Sequence, residues 1–257
     1  MKKIKTVILC GGIGYRLREE TEFKPKPMVE VGGKPILWHI MKIYSHFGFN
    51  DFVIALGYKG NIIKDYFINN KYYDGDFTLN TKTHKIIHHP KETGDNFRIT
   101  FVDTGLESLT GERVRRVKKY INEELFMVTY GDGLANINLL NLLRFHKAQK
   151  TIGTITGVFP HLRFGGVETE KNGLAKEFEK RAKIKQLING GFMVFKKKAF
   201  DFIKKDSMIE DVFDTLINQR QLSLFEHRGF FHAMDTYQDT QDLNNLWREK
   251  PAWKIWA

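Results

Sequence analysis

The residues best equipped for chemistry gather near the start of the chain. Gly11-Gly12-Ile13-Gly14 places three glycines in four residues, directly after the apolar run Ile4-Lys5-Thr6-Val7-Ile8-Leu9-Cys10. Arg16 follows two residues later, and Lys24-Pro25-Lys26-Pro27 comes soon after. Glycines at the end of a strand let backbone N–H groups approach a ligand closely, and a concavity of such groups attracts phosphate. Arginine adds a planar fork and lysine a point charge, both suited to phosphate oxygens. The chemistry this favours is binding of a nucleotide phosphate. The plainer reading is a glycine turn that closes a βα unit and holds no ligand. No Gly-Lys-Ser/Thr ends the loop, so it is not a Walker loop. Leu17 stands where the third glycine of a dinucleotide fingerprint belongs, and no acidic ribose ligand follows about 20 residues on. Two carboxylates complete the set. Asp132 sits between Gly131 and Gly133 after Leu125-Phe126-Met127-Val128-Thr129-Tyr130, and Asp235 follows Phe231-His232-Ala233-Met234. By itself each carboxylate is equally suited to capping a turn.

These residues need a scaffold that brings strand ends together. Residues 4–10 and 51–56 read as buried strands, and residues 35–47 as a helix, with Pro35 in its first turn and Gly48 at its C-terminus. Residues 61–69 read as a short amphipathic helix. This β-loop-α-β-α order predicts an α/β fold with a mainly parallel sheet flanked by helices. Residues 71–101 turn polar and aromatic with period-2 stretches, and read as a β-rich insertion. Its His84, His88 and His89 are poor metal candidates, because neighbours on a strand face opposite sides. Further strands are expected over residues 99–103, 125–130, 151–159, 188–195, 222–226 and 231–235. Further helices are expected over residues 138–150, 198–205, 210–220 and 239–248, with a basic helix ending at Tyr120. The charged run 168–186 reads as a solvated strand pair. With no repeat or linker, the chain reads as one domain, 1–257, with an insertion over about residues 71–101 and a C-terminal region over about residues 160–257.

A chain of 257 residues buries a sizeable core, and 42% hydrophobic with 28% charged residues is an ordinary globular balance. No apolar run approaches the roughly 20 residues of a membrane span. No signal-peptide pattern is visible, and the single cysteine, Cys10, cannot form an internal disulfide, so a cytoplasmic location is expected. Cys10 reads as a small buried residue rather than a nucleophile. The formal charge of +11 suits anionic partners. Its cations are dispersed and lack an RNA-binding signature, which favours small phosphorylated substrates over nucleic acid or membrane.

Longer motifs sharpen this. Leu9-Cys10-Gly11-Gly12-Ile13-Gly14-Tyr15-Arg16-Leu17 followed by Lys24-Pro25-Lys26-Pro27-Met28 resembles the signature of sugar-1-phosphate nucleotidyltransferases. Gly33-Lys34-Pro35-Ile36-Leu37-Trp38-His39-Ile40-Met41, Leu56-Gly57-Tyr58-Lys59-Gly60, Val102-Asp103-Thr104-Gly105, Thr129-Tyr130-Gly131-Asp132-Gly133, Ile188-Asn189-Gly190-Gly191-Phe192 and Met234-Asp235-Thr236 resemble the branch that couples CTP to glucose 1-phosphate. The resemblance covers nearly the whole chain. Three departures stand out: Tyr15 in place of Thr or Ser, Arg181 in place of a proline in Glu179-Lys180-Arg181, and Gly165-Gly166-Val167 in place of Gly-Ala.

The resemblance implies the nucleotide-diphospho-sugar transferase fold, Rossmann-like, with a small C-terminal extension. It implies that an acceptor phosphate attacks the α-phosphorus of CTP, giving a CDP-sugar and pyrophosphate for surface polysaccharides such as O-antigen or capsule. The catalytic residues it implies are Arg16, Lys26, Asp132 and Asp235, with the two aspartates holding Mg²⁺. The implied nucleotide contacts are Leu9, Cys10, Gly11, Gly12, Ile13, Gly14, Tyr15, Arg16, Lys26, Ser108, Arg113 and Gly131, with Ser108 and Arg113 near the nucleotide or a neighbouring subunit's site. Glu179, Lys180 and Asn189 line the implied acceptor pocket. A homo-oligomer is implied, a hexamer being the form the family suggests. The alternatives are a cytidylyltransferase for another phosphorylated acceptor and a non-catalytic regulatory subunit of the same fold. Retention of Arg16, Lys26, Asp132 and Asp235 argues against the second.

Overall fold

The structure is a computed structural model that describes residues 4–73, 76–89, 95–160, 165–179 and 186–256. The chain opens with β1 (Lys5–Cys10), a 3-10 turn (Tyr15–Leu17), α1 (Arg18–Thr21), a second 3-10 turn (Lys26–Met28), and the short strands β2 (Glu30–Val31) and β3 (Lys34–Pro35). It continues through α2 (Ile36–His46), β4 (Asp51–Leu56), α3 (Gly60–Tyr73), β5 (Asp76–Leu79), β6 (Ile86–His89), β7 (Arg98–Asp103) and α4 (Thr110–Arg116). Then come β8 (Leu125–Tyr130), β9 (Gly133–Ala135), α5 (Leu139–Gln149), β10 (Gly153–Val158), β11 (Gly166–Thr169), β12 (Ala175–Glu179) and β13 (Ile188–Lys196). The chain closes with α6 (Ile209–Asn218), β14 (Leu222–His227), β15 (Phe231–Ala233) and α7 (Tyr237–Glu249).

Seven strands form the main sheet in the order β14-β10-β13-β8-β1-β4-β7. Parallel pairing joins β8, β1, β4 and β7, and joins β10 to β14. Only β13 runs against its neighbours, pairing antiparallel with both β8 and β10. Its N-terminal end therefore lies at the edge where the other six strands have their carboxyl ends.

Burial explains why the central strands read as unbroken apolar runs, since a strand covered on both faces needs no alternation. Val7, Leu9, Val53, Ala55, Phe126 and Val128 enter one core with Val114, Val212 and Phe213 from α4 and α6. Ile8, Cys10, Phe52, Ile54 and Met127 enter the other, against α2, α5 and α7. In α2 the apolar spacing delivers Ile36, Leu37, Ile40, Met41, Ile43 and Tyr44 to that second core. Pro35 precedes the helix as its N-cap, and Gly48 follows it with φ +84°.

Two readings change. Residues 198–205 do not form a helix: a 3-10 turn covers Lys197–Asp201, only Ala199, Phe200 and Ile203 of the segment are buried, and Asp206 turns the chain at φ 52°. The basic helix stops at Arg116, and a separate 3-10 turn covers Lys118–Tyr120. The polar segment after α3 carries the β5–β6 hairpin, which exposes Phe77, Leu79, Ile86 and Ile87. The charged run carries the β11–β12 pair, exposed along nearly its whole length. Among the described residues no helix is long and apolar enough to cross a membrane.

Candidate active site

The glycine loop leaves β1 at the carboxyl edge. Gly11 cannot be any other residue without displacing Arg113, whose Nη1 would lie 2.0 Å from an added Cβ. Gly12 faces open space, and Gly14 takes φ +74°, where a side chain is strained. The backbone N–H groups of Gly12, Ile13 and Gly14 have no acceptor among the described residues. They are the free donors that an anion-binding loop requires. Leu9 and Cys10 are buried beneath the loop, and burial, reinforced by the Asp132 charge, pushes the Cys10 thiol well above its usual range. Cys10 is therefore a thiol and no nucleophile. Tyr15 is exposed.

The two carboxylates meet through backbone pairing. After β8 the chain passes Gly131, which is pressed so closely against the Leu9 carbonyl that an added Cβ would lie 2.9 Å from it. The strands β9 and β15 then pair antiparallel, with Gly133 opposite Ala233, and the Met234 N–H donates to the Asp132 carbonyl at 2.9 Å. This register sets Asp132 beside Asp235. Asp235 is anchored from α7: its N–H donates to Asp239 Oδ2 at 3.0 Å, while Asp239 and Thr236 form the capping box of that helix. Burial alone would raise the Asp239 carboxyl, but His232, the Thr236 hydroxyl and the two backbone N–H groups reverse this and hold it far below the usual carboxylate range.

Lys26 joins the two aspartates. Its Nζ donates to Asp132 Oδ2 at 2.6 Å and to Asp235 Oδ1 at 2.7 Å. Arg16 Nη1 donates to the other Asp235 oxygen at 3.1 Å from a side chain that is 71% exposed. Pro25 and Pro27 hold the Lys26 backbone in a 3-10 turn. Burial disfavours the ammonium, but Asp132 first and then Asp235 more than offset it, so the Lys26 pKa lies above its ordinary value.

Arg113 is 4% exposed and points into the fold, where it donates to five acceptors. Its Nη1 reaches the Leu56 carbonyl, Thr104 Oγ1 and the Gly105 carbonyl at 3.1, 2.7 and 2.7 Å. Its Nη2 reaches the Gly11 and Leu106 carbonyls, both at 3.0 Å. It thus ties together the loops that follow β1, β4 and β7. The Ser108 hydroxyl donates to the Thr104 carbonyl in the same cluster. Asn189 reaches the carboxyl edge because β13 is antiparallel; it accepts from the Gly191 N–H at 3.0 Å and approaches the Tyr130 hydroxyl at 3.5 Å. Glu179 lies opposite Gly166 in the exposed β11–β12 ribbon. Lys180 and Arg181 lie outside the described residues. Sequence reasoning overlooked Thr104, Asp239 and Glu210, which accepts from the Tyr130 hydroxyl. Thr104 stands in the motif Val102-Asp103-Thr104-Gly105 and Asp239 in the capping pattern Thr236-x-x-Asp239, whereas Glu210 left no local signal. A cleft of about 580 Å³ opens between α1, β2 and α7, lined by Lys24, Glu30, Tyr237 and Arg248 among others, and Lys26, Asp132 and Asp235 are not in its lining.

A family model described as Nucleotidyl transferase matches residues 5–254. The chain belongs to the nucleotidyl transferase family. It is 43% identical to a glucose-1-phosphate cytidylyltransferase of Salmonella typhi over 98% of this chain and all of that one. It is 41% identical, at the same coverage, to a Bacillus subtilis (strain 168) protein described as "Probable glucose-1-phosphate cytidylyltransferase". Among solved structures, HddC from Yersinia pseudotuberculosis superposes with a TM-score of 0.69 at 22% identity, over 95% of this chain and 99% of that one, a likeness of fold. In this nucleotidyl transferase a free-donor loop, a lysine and two carboxylates thus share one edge of the sheet, where open α/β folds bind ligands.

Two carboxylates converge on one point that already accommodates a positive charge. Among the described residues no group of three or more His, Cys, Asp or Glu is placed to hold a metal. A hard cation here would take two protein ligands and complete its shell with water and phosphate, as Mg²⁺ commonly does.

Proposed function

We propose that this nucleotidyl transferase couples CTP to a sugar 1-phosphate, α-D-glucose 1-phosphate foremost, and releases pyrophosphate. The 43% identity over the full length of the Salmonella typhi glucose-1-phosphate cytidylyltransferase carries this reading, and the convergence of Lys26, Asp132 and Asp235 beside the glycine loop supports it. An oxygen of the acceptor's phosphate attacks the α-phosphorus of CTP. The bond from that phosphorus to its bridging oxygen breaks, and pyrophosphate leaves with the electron pair. The acceptor phosphate is largely ionised at neutral pH, so no general base is required. The chain's task is positioning and charge neutralisation. The N–H groups of Gly12, Ile13 and Gly14 cradle the triphosphate. Lys26 faces the α-phosphate, where negative charge builds, and Arg16 swings from an exposed position onto the departing pyrophosphate. Asp132 and Asp235 would hold Mg²⁺, which when bound neutralises phosphoryl oxygens. Asn189, Glu179 and Lys180 serve the acceptor.

The product is an activated sugar, and we read its use as surface-polysaccharide synthesis in the cytoplasm, without nucleic-acid or membrane partners. We infer a homo-oligomer, supported by the apolar side chains that the β5–β6 hairpin exposes; the hexamer rests on the family resemblance alone. Sedimentation at micromolar concentration should give an oligomer, and a monomer would remove that part. The activity itself is tested by pyrophosphate release across CTP, UTP and dTTP with a panel of phosphorylated acceptors. The expected result is a clear kcat/KM preference for CTP with glucose 1-phosphate. Equal values for the three nucleotides would overturn the nucleotide assignment.

A further inference from the structure

We propose that Lys26 is the built-in occupant of the cation site. In the free protein its ammonium closes the Asp132–Asp235 pair, and the pair opens for a divalent cation only when a bound triphosphate draws that ammonium away. The inference rests on the reading above that these two aspartates take Mg²⁺.

The geometry is that of a placeholder. Lys26 Nζ lies 2.6 Å from Asp132 Oδ2 and 2.7 Å from Asp235 Oδ1, in a side chain only 13% exposed. A divalent cation held by these two carboxylates would need the space that Nζ fills. The two positive groups would also repel there. Two adjacent carboxylates without a cation would repel each other, and the ammonium removes that conflict while the site waits. Arg16 takes the remaining Asp235 oxygen without bridging the pair.

The stem of Lys26 already lies against the phosphate loop. A Cβ added to Gly14 would meet Lys26 Cβ at 3.2 Å and Cδ at 3.7 Å. The flanking prolines hold the backbone: Met28 N–H donates to the Pro25 carbonyl at 2.8 Å and Val29 N–H to the Lys26 carbonyl at 3.1 Å. With the backbone so held and the stem against Gly14, the movement of the ammonium from the carboxylates toward the loop is assigned to side-chain rotation. Triphosphate and cation binding are then coupled, and linkage makes the coupling reciprocal. The free protein therefore binds a divalent cation more weakly than the nucleotide-bound protein does.

The test uses Mn²⁺ as the probe and needs no turnover. Free Mn²⁺ is titrated by electron paramagnetic resonance against the full chain without nucleotide, for wild type, Lys26→Met and Lys26→Gln. Two substitutions are used in case one fails to fold, with folding checked by circular dichroism. Either variant should bind Mn²⁺ at least about tenfold more tightly than wild type, since its internal competitor is gone. Adding Asp132→Asn to Lys26→Met should abolish the gain. Lys24→Met removes a nearby positive charge that is paired with Glu20 instead, and should change affinity less than about twofold, as screened surface charges do. A Lys24 effect equal to the Lys26 effect would reduce the result to bulk charge and overturn the proposal. Equal Mn²⁺ affinity in wild type and both Lys26 variants would overturn it too. If Mn²⁺ binding in the presence of CTP still requires Asp132 and Asp235 in that case, the metal reading survives. If Asp132→Asn and Asp235→Asn leave Mn²⁺ binding with CTP unchanged, the metal reading falls with it.

Discussion

Asp132 and Asp235 share one ammonium, so a change at either is felt at both. Asp132→Asn and Asp235→Asn should each fold, because both side chains are partly exposed and the carboxylate left in each variant still pairs with Lys26. Each should lower kcat by about 10²-fold or more, as loss of a transition-state electrostatic group does. The double variant should be little worse than the worse single, since groups acting as one ligand set are not additive. Steady-state kinetics that multiply the two losses would refute this. Arg113 behaves differently. Its five acceptors are carbonyls and a hydroxyl of three loops, so Arg113→Met leaves buried acceptors unpaired and should cost about 2–4 kcal/mol in urea unfolding. Lysine has three donors on one nitrogen and cannot span that set, so Arg113→Lys should restore little. Full recovery of the urea midpoint by Lys would show that charge alone matters there.

At the scale of elements, α4 is the strut behind the glycine loop, and Glu112 fixes it. The Glu112 carboxylate is fully buried and accepts from Arg115 at 2.6 and 2.7 Å, from Arg116 at 2.7 Å and from the Asp206 N–H at 3.3 Å. The Arg115 hydrogen bonds above all, against the opposing effect of burial, lower its pKa from 4.5 to about 2. A carboxylate with a depressed folded-state pKa binds protons more weakly folded than unfolded, so its contribution is complete above pH 4.5 and is lost as pH falls toward 2. Denaturant titrations across that window should show falling stability, and Glu112→Gln should flatten the fall. An unchanged slope in the variant would place the acid sensitivity elsewhere. The same scale explains the residues 198–205. Spacing alone suits a helix there, but the chain is a 3-10 turn over Lys197–Asp201 and turns at Asp206, φ 52°, before α6.

At the scale of the molecule, His39 links the two ends of the chain. It is fully buried among Trp38, Trp247, Trp253 and Trp256. The Trp253 indole N–H donates to Nδ1 at 3.4 Å, so Nε2 carries the proton toward the Val31 carbonyl at 2.7 Å. Burial lowers the His39 pKa to about 4, and burial does the same for His146, with nearby Lys196 and Lys147 adding to it. Both are neutral when folded and charge on unfolding, so between about pH 6.5 and 4 the unfolded chain binds more protons and stability falls as pH drops. Tryptophan fluorescence should report that loss, because His39 lies in the tryptophan cluster. His39→Gln should remove part of the pH dependence in this window. A variant as pH-sensitive there as wild type would clear His39 of the role.

The apolar runs of β1, β4 and β8, the helix spacing of α2 and the glycine loop were legible in order along the chain, because each is written in neighbouring residues. Gly11, Lys26, Asp132 and Asp235 could be named from motifs for the same reason. Their mutual placement could not. Asp235 stands beside Asp132 because two three-residue strands pair in one register, and strands that short leave no period to read. Arg113 was legible as a cation near the loop, yet whether its guanidinium faced a phosphate or the carbonyls beneath depended on how α4 packs behind β1, β4 and β7. Asn189 came to the carboxyl edge only because β13 runs against its neighbours. Local propensity and pattern reach a few residues along the chain. Strand direction, register and the partner that a buried charge finds are set by contacts between distant segments, and those the tertiary structure alone decided.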